Sequence, residues 1–310
     1  MSNKEAVCNL RFRLVPGFFT NLTERAQQDP TAKLTTLPSL GLLDKSAWPD
    51  NVAEATSNEG KASWELLADH VAHLNSESPG STKYKVLFIT RHGQGYHNTF
   101  EAKSHWSHLD GDGTVVWADA KIDENGIKQA ADLSEIWSKT ATEDKLPLPK
   151  SIYTSPLARC LETTRRVLSK TYQEQGAEFR PIIKELLRER LTDHTCDRRS
   201  SRSWIEANYP DYLFESGFSE EDKLWTGKVW ETTAEHVARK QQVLEDIFAT
   251  DDNGFVALVT HSYAISAILG VLGEEEVRVR EGSTIMLFVK AEQVHHVLEE
   301  ATTLYPRTSC

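Results

Sequence analysis

From Lys85 onward the chain alternates short apolar runs with helical patterns, and few folds accept that alternation. The runs are KVLFIT (85–90), SIYT (151–154), FVALVT (255–260) and TIMLFV (284–289). Each is short enough for a strand and apolar enough to be covered on both faces. Between them lie segments with helical spacing. One carries Ile127, Ala130, Ala131 and Trp137, and the next carries Cys160, Leu161, Thr164 and Leu168. A third carries Val237, Leu244, Ile247 and Phe248, and a fourth runs from Ser262 to Leu272. Strands alternating with helices predict an α/β fold, with a mostly parallel sheet flanked by helices on both faces.

Residues 1–82 lack that periodicity and read as an irregular N-terminal extension packed on the core. One amphipathic piece stands out there, with Trp64, Leu67, Val71 and Leu74 on one helical face. The turn-rich NSESPGST (75–82) delivers the chain into the first strand. The remainder, 83–310, reads as one domain. Residues 190–230 interrupt the alternation with Pro210, many charges and scattered aromatics, and are expected to form a cap over the strand ends.

Parallel strands end on the same edge of a sheet, where ligands bind. That edge collects cations here. Arg91 and His92 end the first strand, beside the bare backbone of Gly93 and Gly95. Arg159 falls in the first turn of a helix after YTSPLA, and His261 ends FVALVT just before Ser262. A lone histidine in an apolar stretch is commonly a hydrogen-bonded core residue. Repetition at successive strand ends points instead to a site for a dianion such as a phosphoryl group. The net charge of −11 makes this concentration local, and argues against nucleic acid or an anionic membrane as partner.

The ordered motifs resemble the histidine phosphatase superfamily, with its phosphoglycerate-mutase-like, Rossmann-like three-layer fold. RHGQGYHN (91–98) is similar to its RHG signature, with Asn98 at the downstream Asn. IDENGIKQA (122–130) resembles its LTxxGxxQA segment, and TSPLARCLETT (154–164) the segment holding the second arginine. LLRERLTDHTCDRR (186–199) is similar to the region supplying a proton donor, and VTHS (259–262) to the second histidine segment. The overall pattern is nearest to fungal phosphomutase-like proteins.

The resemblance implies a phosphomonoesterase acting on a small phosphorylated metabolite. His92 would attack phosphorus and form a phosphohistidine. Arg91, Arg159 and His261 would hold the equatorial oxygens, with Asn98 as a neutral donor and Ser262 also binding substrate. Glu189 would protonate the leaving group, with Asp193 the nearest substitute. A free Glu is protonated at only about one part in five hundred at pH 7, so burial would have to raise its pKa. His194, Arg198 and Arg199 would select the rest of the substrate. No cofactor or metal is implied. His97 stands where the family's mutases carry Trp, and HTCDRR differs from theirs; both favour hydrolysis over mutase-type phosphoryl transfer. A catalytically inactive phospholigand-binding module is a further alternative, although every catalytic position is filled.

Other motifs yield to simpler readings. CDRRSSR (196–202) has the C-x5-R spacing of cysteine-dependent phosphatases, but Thr195 precedes the Cys and the loop has no glycine. HWSHLDGDG (105–113) places His105, His108, Asp110 and Asp112 together, and turn chemistry accounts for the Asp–Gly part without a metal. The four cysteines are too dispersed for a disulfide framework or zinc site. The first twenty residues lack an apolar signal region, so the sequon at Asn21 is expected to be unused and the chain cytoplasmic or also nuclear. No sequence feature speaks to oligomeric state.

Overall fold

Motifs 170 residues apart can meet because of the order in which the strands lie. The computed structural model describes residues 9–29, 31–49, 52, 60–99 and 109–294. Within them seven strands form one sheet: β1 (Asn9–Leu14), β2 (Thr82–Arg91), β3 (Ser151–Thr154), β4 (Ile182–Ile183), β5 (Leu213–Phe214), β6 (Phe255–Thr260) and β7 (Thr284–Val294). Their spatial order is β1-β7-β2-β6-β3-β4-β5. The run from β2 to β5 is parallel, whereas β7 is antiparallel to β2 and β1 antiparallel to β7. Thus β6 sits between β2 and β3, and the three motif-bearing tips are neighbours.

Alternation along the strands divides the core in two. Leu87, Ile89, Val256 and Leu258 face one side, against α6 (Thr233–Thr250) and α7 (Ser262–Val271). Val86, Phe88 and Ala257 face the other. There they meet α2 (Ser63–Glu77), α3 (Glu124–Thr142) and α4 (Ala158–Glu174) through Trp64, Trp137 and Val167. Each buried Leu, Ile or Phe contributes about 1.5–3 kcal/mol, so both faces anchor the sheet.

The amphipathic piece expected around Trp64 is helix α2, with Trp64, Leu67 and Val71 buried. The rest of the N-terminal segment is more regular than expected. LRFRL alternates Leu10, Phe12 and Leu14 toward the core, and as β1 it pairs with β7 along the sheet edge. A short helix, α1 (Leu22–Gln28), is capped by Asn21, whose side chain accepts from the Thr23 and Glu24 amides. Residues 190–230 likewise contribute to the sheet: they hold α5 (Arg202–Asn208), and β5 extends the parallel run beyond β4. Ile205, Tyr209, Tyr212 and Phe218 pack with Leu161 and Ile183 in a small core of their own.

Candidate active site

The ladder carries the chain past each strand tip in register. The His92 amide donates to Thr260 O at 3.0 Å, and the Ser155 amide to Val259 O at 3.0 Å. This places His92, His261 and the start of α4 side by side. The His92 and His261 rings lie 5.1 Å apart, nearly edge to face. Arg159 donates from Nε to His261 Nδ1 at 3.2 Å.

Hydrogen bonds select the tautomers. His92 Nδ1 is 2.7 Å from Gly93 O, an atom that can only accept, so Nδ1 carries the proton and Nε2 keeps its lone pair. Burial, with Arg159 and Arg91 nearby, pushes the His92 pKa well below its usual value. The ring is therefore neutral at physiological pH. For His261 the logic runs the other way. Nδ1 accepts from Arg159, so Nε2–H is the donor and faces Ser155 Oγ at 2.8 Å. Burial, then Arg159, depress its pKa as well. His97 lies 5.7 Å from His92 with the two rings tilted, and burial, then Arg159, depress its pKa as well.

Glycine is required where the first loop meets α3. A Cβ on Gly126 would lie 2.1 Å from Gln94 O, and one on Gly93 2.6 Å from Gly126 O. Asp123 caps α3 by accepting from the Gly126 amide at 2.8 Å and also receives Gln94 Nε2 at 2.8 Å. Gln129 Oε1 accepts from the Gln94 amide at 2.8 Å. The IDENGIKQA segment thus braces the loop that carries His92.

The two arginines keep donors in reserve. Arg91 gives Nη1 to Val279 O at 2.7 Å and Nη2 to Glu281 at 2.9 Å, while its buried Nε has no partner among the described residues. Arg159 uses one N–H each toward His261, Cys196 O at 2.6 Å and Asp197 at 3.4 Å. A guanidinium has five N–H groups, so among the described residues Arg91 retains three and Arg159 two. That is capacity for an anion.

Glu189 is anchored at the start of α7. Its carboxyl accepts the Ala264 amide at 3.0 Å and the Tyr263 amide at 3.2 Å, in the first turn of α7. Burial, with Asp197 adding to it, raises its pKa despite those donors. Both Arg91 and Arg159 lie within electrostatic reach of it. An acid with a raised pKa beside two arginines can give a proton to a departing oxygen.

The remaining expected residues separate into groups. Asn98 sits in the turn after the loop, its Oδ1 accepting the Gly95 amide at 3.1 Å. Ser262 begins α7 directly after His261. His194 lies edge-on to Trp230 at 5.2 Å and 3.6 Å from Asp193, within electrostatic range of His97. Arg198 is more exposed, paired with Asp110 at 2.8 Å and stacked on Trp225. Arg199 is not placed as a substrate reader. It is buried, and its five N–H groups are consumed by Glu185 and by the carbonyls of Ser200, Ser219, Glu220 and Glu221.

Burial pushes the Cys196 thiol well above its ordinary pKa, opposite to what a nucleophilic thiolate needs. His105 and His108 lie outside the described residues, while Asp112 accepts from Thr114 and Val115 in a local turn. No group of three or more metal-ligating side chains occurs among the described residues. Among them, too, no helix is long and apolar enough to cross a membrane.

Residues not anticipated also shape the site. Asp119 accepts the Ala158 amide at 2.8 Å, capping α4, and binds the Ser200 hydroxyl at 2.7 Å. Thr163 Oγ1 receives the Gly93 amide at 3.0 Å, and Glu281 orients Arg91. Asp119 and Glu281 stand in no recognisable spacing from the motifs. Thr163 does lie one turn after Arg159, which is a usable signal.

Comparison with known proteins identifies the family. The family model described as Histidine phosphatase superfamily (branch 1) matches residues 87–281. A protein of Arthroderma benhamiae named "Probable phosphoglycerate mutase" is 38% identical over 94% of this chain and 88% of its own length. Another of that name, PMU1 of Saccharomyces cerevisiae, is 31% identical over 65% of this chain and 80% of its own. A phosphoglycerate mutase structure from Bacillus anthracis is 19% identical, with a TM-score of 0.45 over 69% of this chain and 94% of that one. The chain belongs to the histidine phosphatase superfamily.

Proposed function

We propose that this chain hydrolyses a small phosphomonoester through a phosphohistidine on His92. The observation that carries this reading is the His92–Gly93 hydrogen bond, which leaves Nε2 unprotonated, with Arg159 and Arg91 within electrostatic reach and Arg91 Nε without a partner among the described residues. Nε2 attacks phosphorus and the bond to the leaving oxygen breaks. Glu189 passes its proton to that oxygen. Water then attacks the phosphohistidine, giving a proton back to Glu189 and releasing inorganic phosphate and neutral His92. Arg91 and Arg159 stabilise charge on the equatorial oxygens, joined by His261 when its Nε2–H exchanges Ser155 Oγ for a phosphoryl oxygen, with no metal needed for that task.

Mutase-type transfer is the second reading, favoured by the names of the fungal relatives. His97, where the family's mutases have Trp, supports hydrolysis instead. The test is incubation of the protein with an alkyl phosphomonoester in the presence of EDTA. Release of inorganic phosphate is expected, lost in His92→Ala and retained in Cys196→Ser. Phosphoryl groups recovered only on a second hydroxyl of the substrate would favour the mutase reading. Activity that survives His92→Ala but not Cys196→Ser would refute both.

A further inference from the structure

The backbone segment that presents Glu189 is held by side chains. Four consecutive carbonyls, 186 to 189, are each taken by a buried donor. Arg239 on α6 reaches Leu186 O at 3.1 Å, Arg188 O at 3.0 Å and Glu189 O at 2.8 Å. Its neighbour Lys240, fully buried, donates to Leu186 O and Arg188 O, both at 2.6 Å. Thr260, the residue before His261, donates to Leu187 O at 2.6 Å. Glu231 completes the arrangement, pairing with Arg239 at 2.6 Å and accepting the Leu191 amide at 3.0 Å.

Two adjacent buried basic residues are an expensive way to join a helix to a loop. Burial of charge is unfavourable, and burial, then Arg239, push the Lys240 pKa well below its ordinary value. Apolar contacts would attach α6 to the loop at lower cost. They would not fix where each carbonyl lies. A fork of N–H groups on successive carbonyls sets the path of the chain through residue 189, and hence the point from which the Glu189 carboxyl reaches the first turn of α7. A shift of about 1 Å in a reacting group can cost a hundredfold in rate.

We infer that Arg239 and Lys240 are positioning residues for the proton donor. This rests on the reading of Glu189 as the acid. Proton donation matters for a poor leaving group such as an alkoxide and little for p-nitrophenolate, so a displaced acid has a signature that a damaged fold lacks.

The experiment compares kcat for an alkyl phosphate and for p-nitrophenyl phosphate in Arg239→Met, Lys240→Met and the conservative Arg239→Lys. Each is made alone and with Glu189→Gln, and folding is checked by circular dichroism. The Met variants should lose about ten- to a hundredfold on the alkyl ester while keeping p-nitrophenyl phosphate within about threefold. Arg239→Lys should fall between them and the parent, because it retains charge but not the fork. In the Glu189→Gln background the same changes should add almost nothing.

Equal losses on both esters in folded protein, or losses that add to Glu189→Gln, would overturn the positioning role. If Arg239→Met does not fold, Lys240→Met and Arg239→Lys decide the matter by the same criteria. Should Glu189→Gln itself depress both esters equally, the acid assignment falls and the positioning role falls with it. Should Glu189→Gln be selective while the α6 variants are not, only the positioning role is lost.

Discussion

Arg159 and Arg199 are both buried arginines of this chain, and they are used in opposite ways. Arg159, at the tip of the parallel strands, commits three N–H groups to the described residues and keeps two. Arg199, in the segment after Glu189, keeps none. Their neighbours separate less cleanly. Arg91 and Arg188 each have a buried Nε without a partner among the described residues, although both Arg188 Nη atoms are taken by Glu185, Asp222 and Asp197 O. The strand tips are already fixed by two apolar cores, so their cations are available for an external anion. The segment from 184 to 231 has only a small apolar core, and its cations join the chain to itself. Between Arg159 and Arg199, unused donors, more than charge, mark the difference.

Removing one arginine from each region would test that contrast. Arg159→Ala should have the largest effect on turnover, at least a hundred- to a thousandfold in kcat, since even one lost oxyanion donor costs that much. Arg199→Ala should leave kcat per folded molecule within about threefold, yet destabilise the protein by roughly 3–5 kcal/mol by stranding buried partners. Urea titration and steady-state kinetics on the same samples separate the two. A catalytic collapse in Arg199→Ala with unchanged stability would erase the distinction.

Gly126→Ala sharpens the account of the strand tip. The new Cβ would meet Gln94 O, so the loop bearing His92 must move. A stability loss of about 1–3 kcal/mol is expected, with a larger proportional loss of kcat than any exposed α3 substitution produces. Retained activity together with the full stability loss would mean that α3 supports the fold without fixing the nucleophile.

The smallest effect concerns pH. Glu189 must be protonated to act, and burial raises its pKa, so activity on an alkyl phosphate should persist above the ordinary carboxyl range and fall as pH rises further. His92 must be neutral, and burial lowers its pKa, so the acidic limb should lie well below the range of a free imidazole. Glu189→Gln should flatten the alkaline limb for the alkyl ester and leave that of p-nitrophenyl phosphate nearly unchanged. An alkaline limb that persists in Glu189→Gln would point to another acid, with Asp193 the first to examine.

Much of the strand-tip region was legible because it obeys local rules. Apolar runs end in Arg91, His92 and His261, and parallel strands bring such ends together whatever lies between them. The second region is not local. Arg199 reads as a solvent-facing cation in CDRR until its acceptors appear about twenty residues away, at Ser219, Glu220 and Glu221. Arg239 and Lys240 look like ordinary helix residues, because carbonyl acceptors have no sequence signature. The strand β1 was missed because it is brief: Leu10, Phe12 and Leu14 alternate over only five positions. Strands β4 and β5, two residues each, carry too little pattern to be seen.

The central claim is that the strand tips build a phosphoryl site around a neutral His92. It is tested most directly by trapping the intermediate. The protein is mixed with a 32P-labelled phosphomonoester, quenched in alkali within milliseconds, digested and mapped by mass spectrometry. The account predicts base-stable, acid-labile phosphate on the peptide containing His92, absent in His92→Ala and present in Cys196→Ser. Label on the Cys196 peptide, or phosphate release at full rate from His92→Ala, would contradict it.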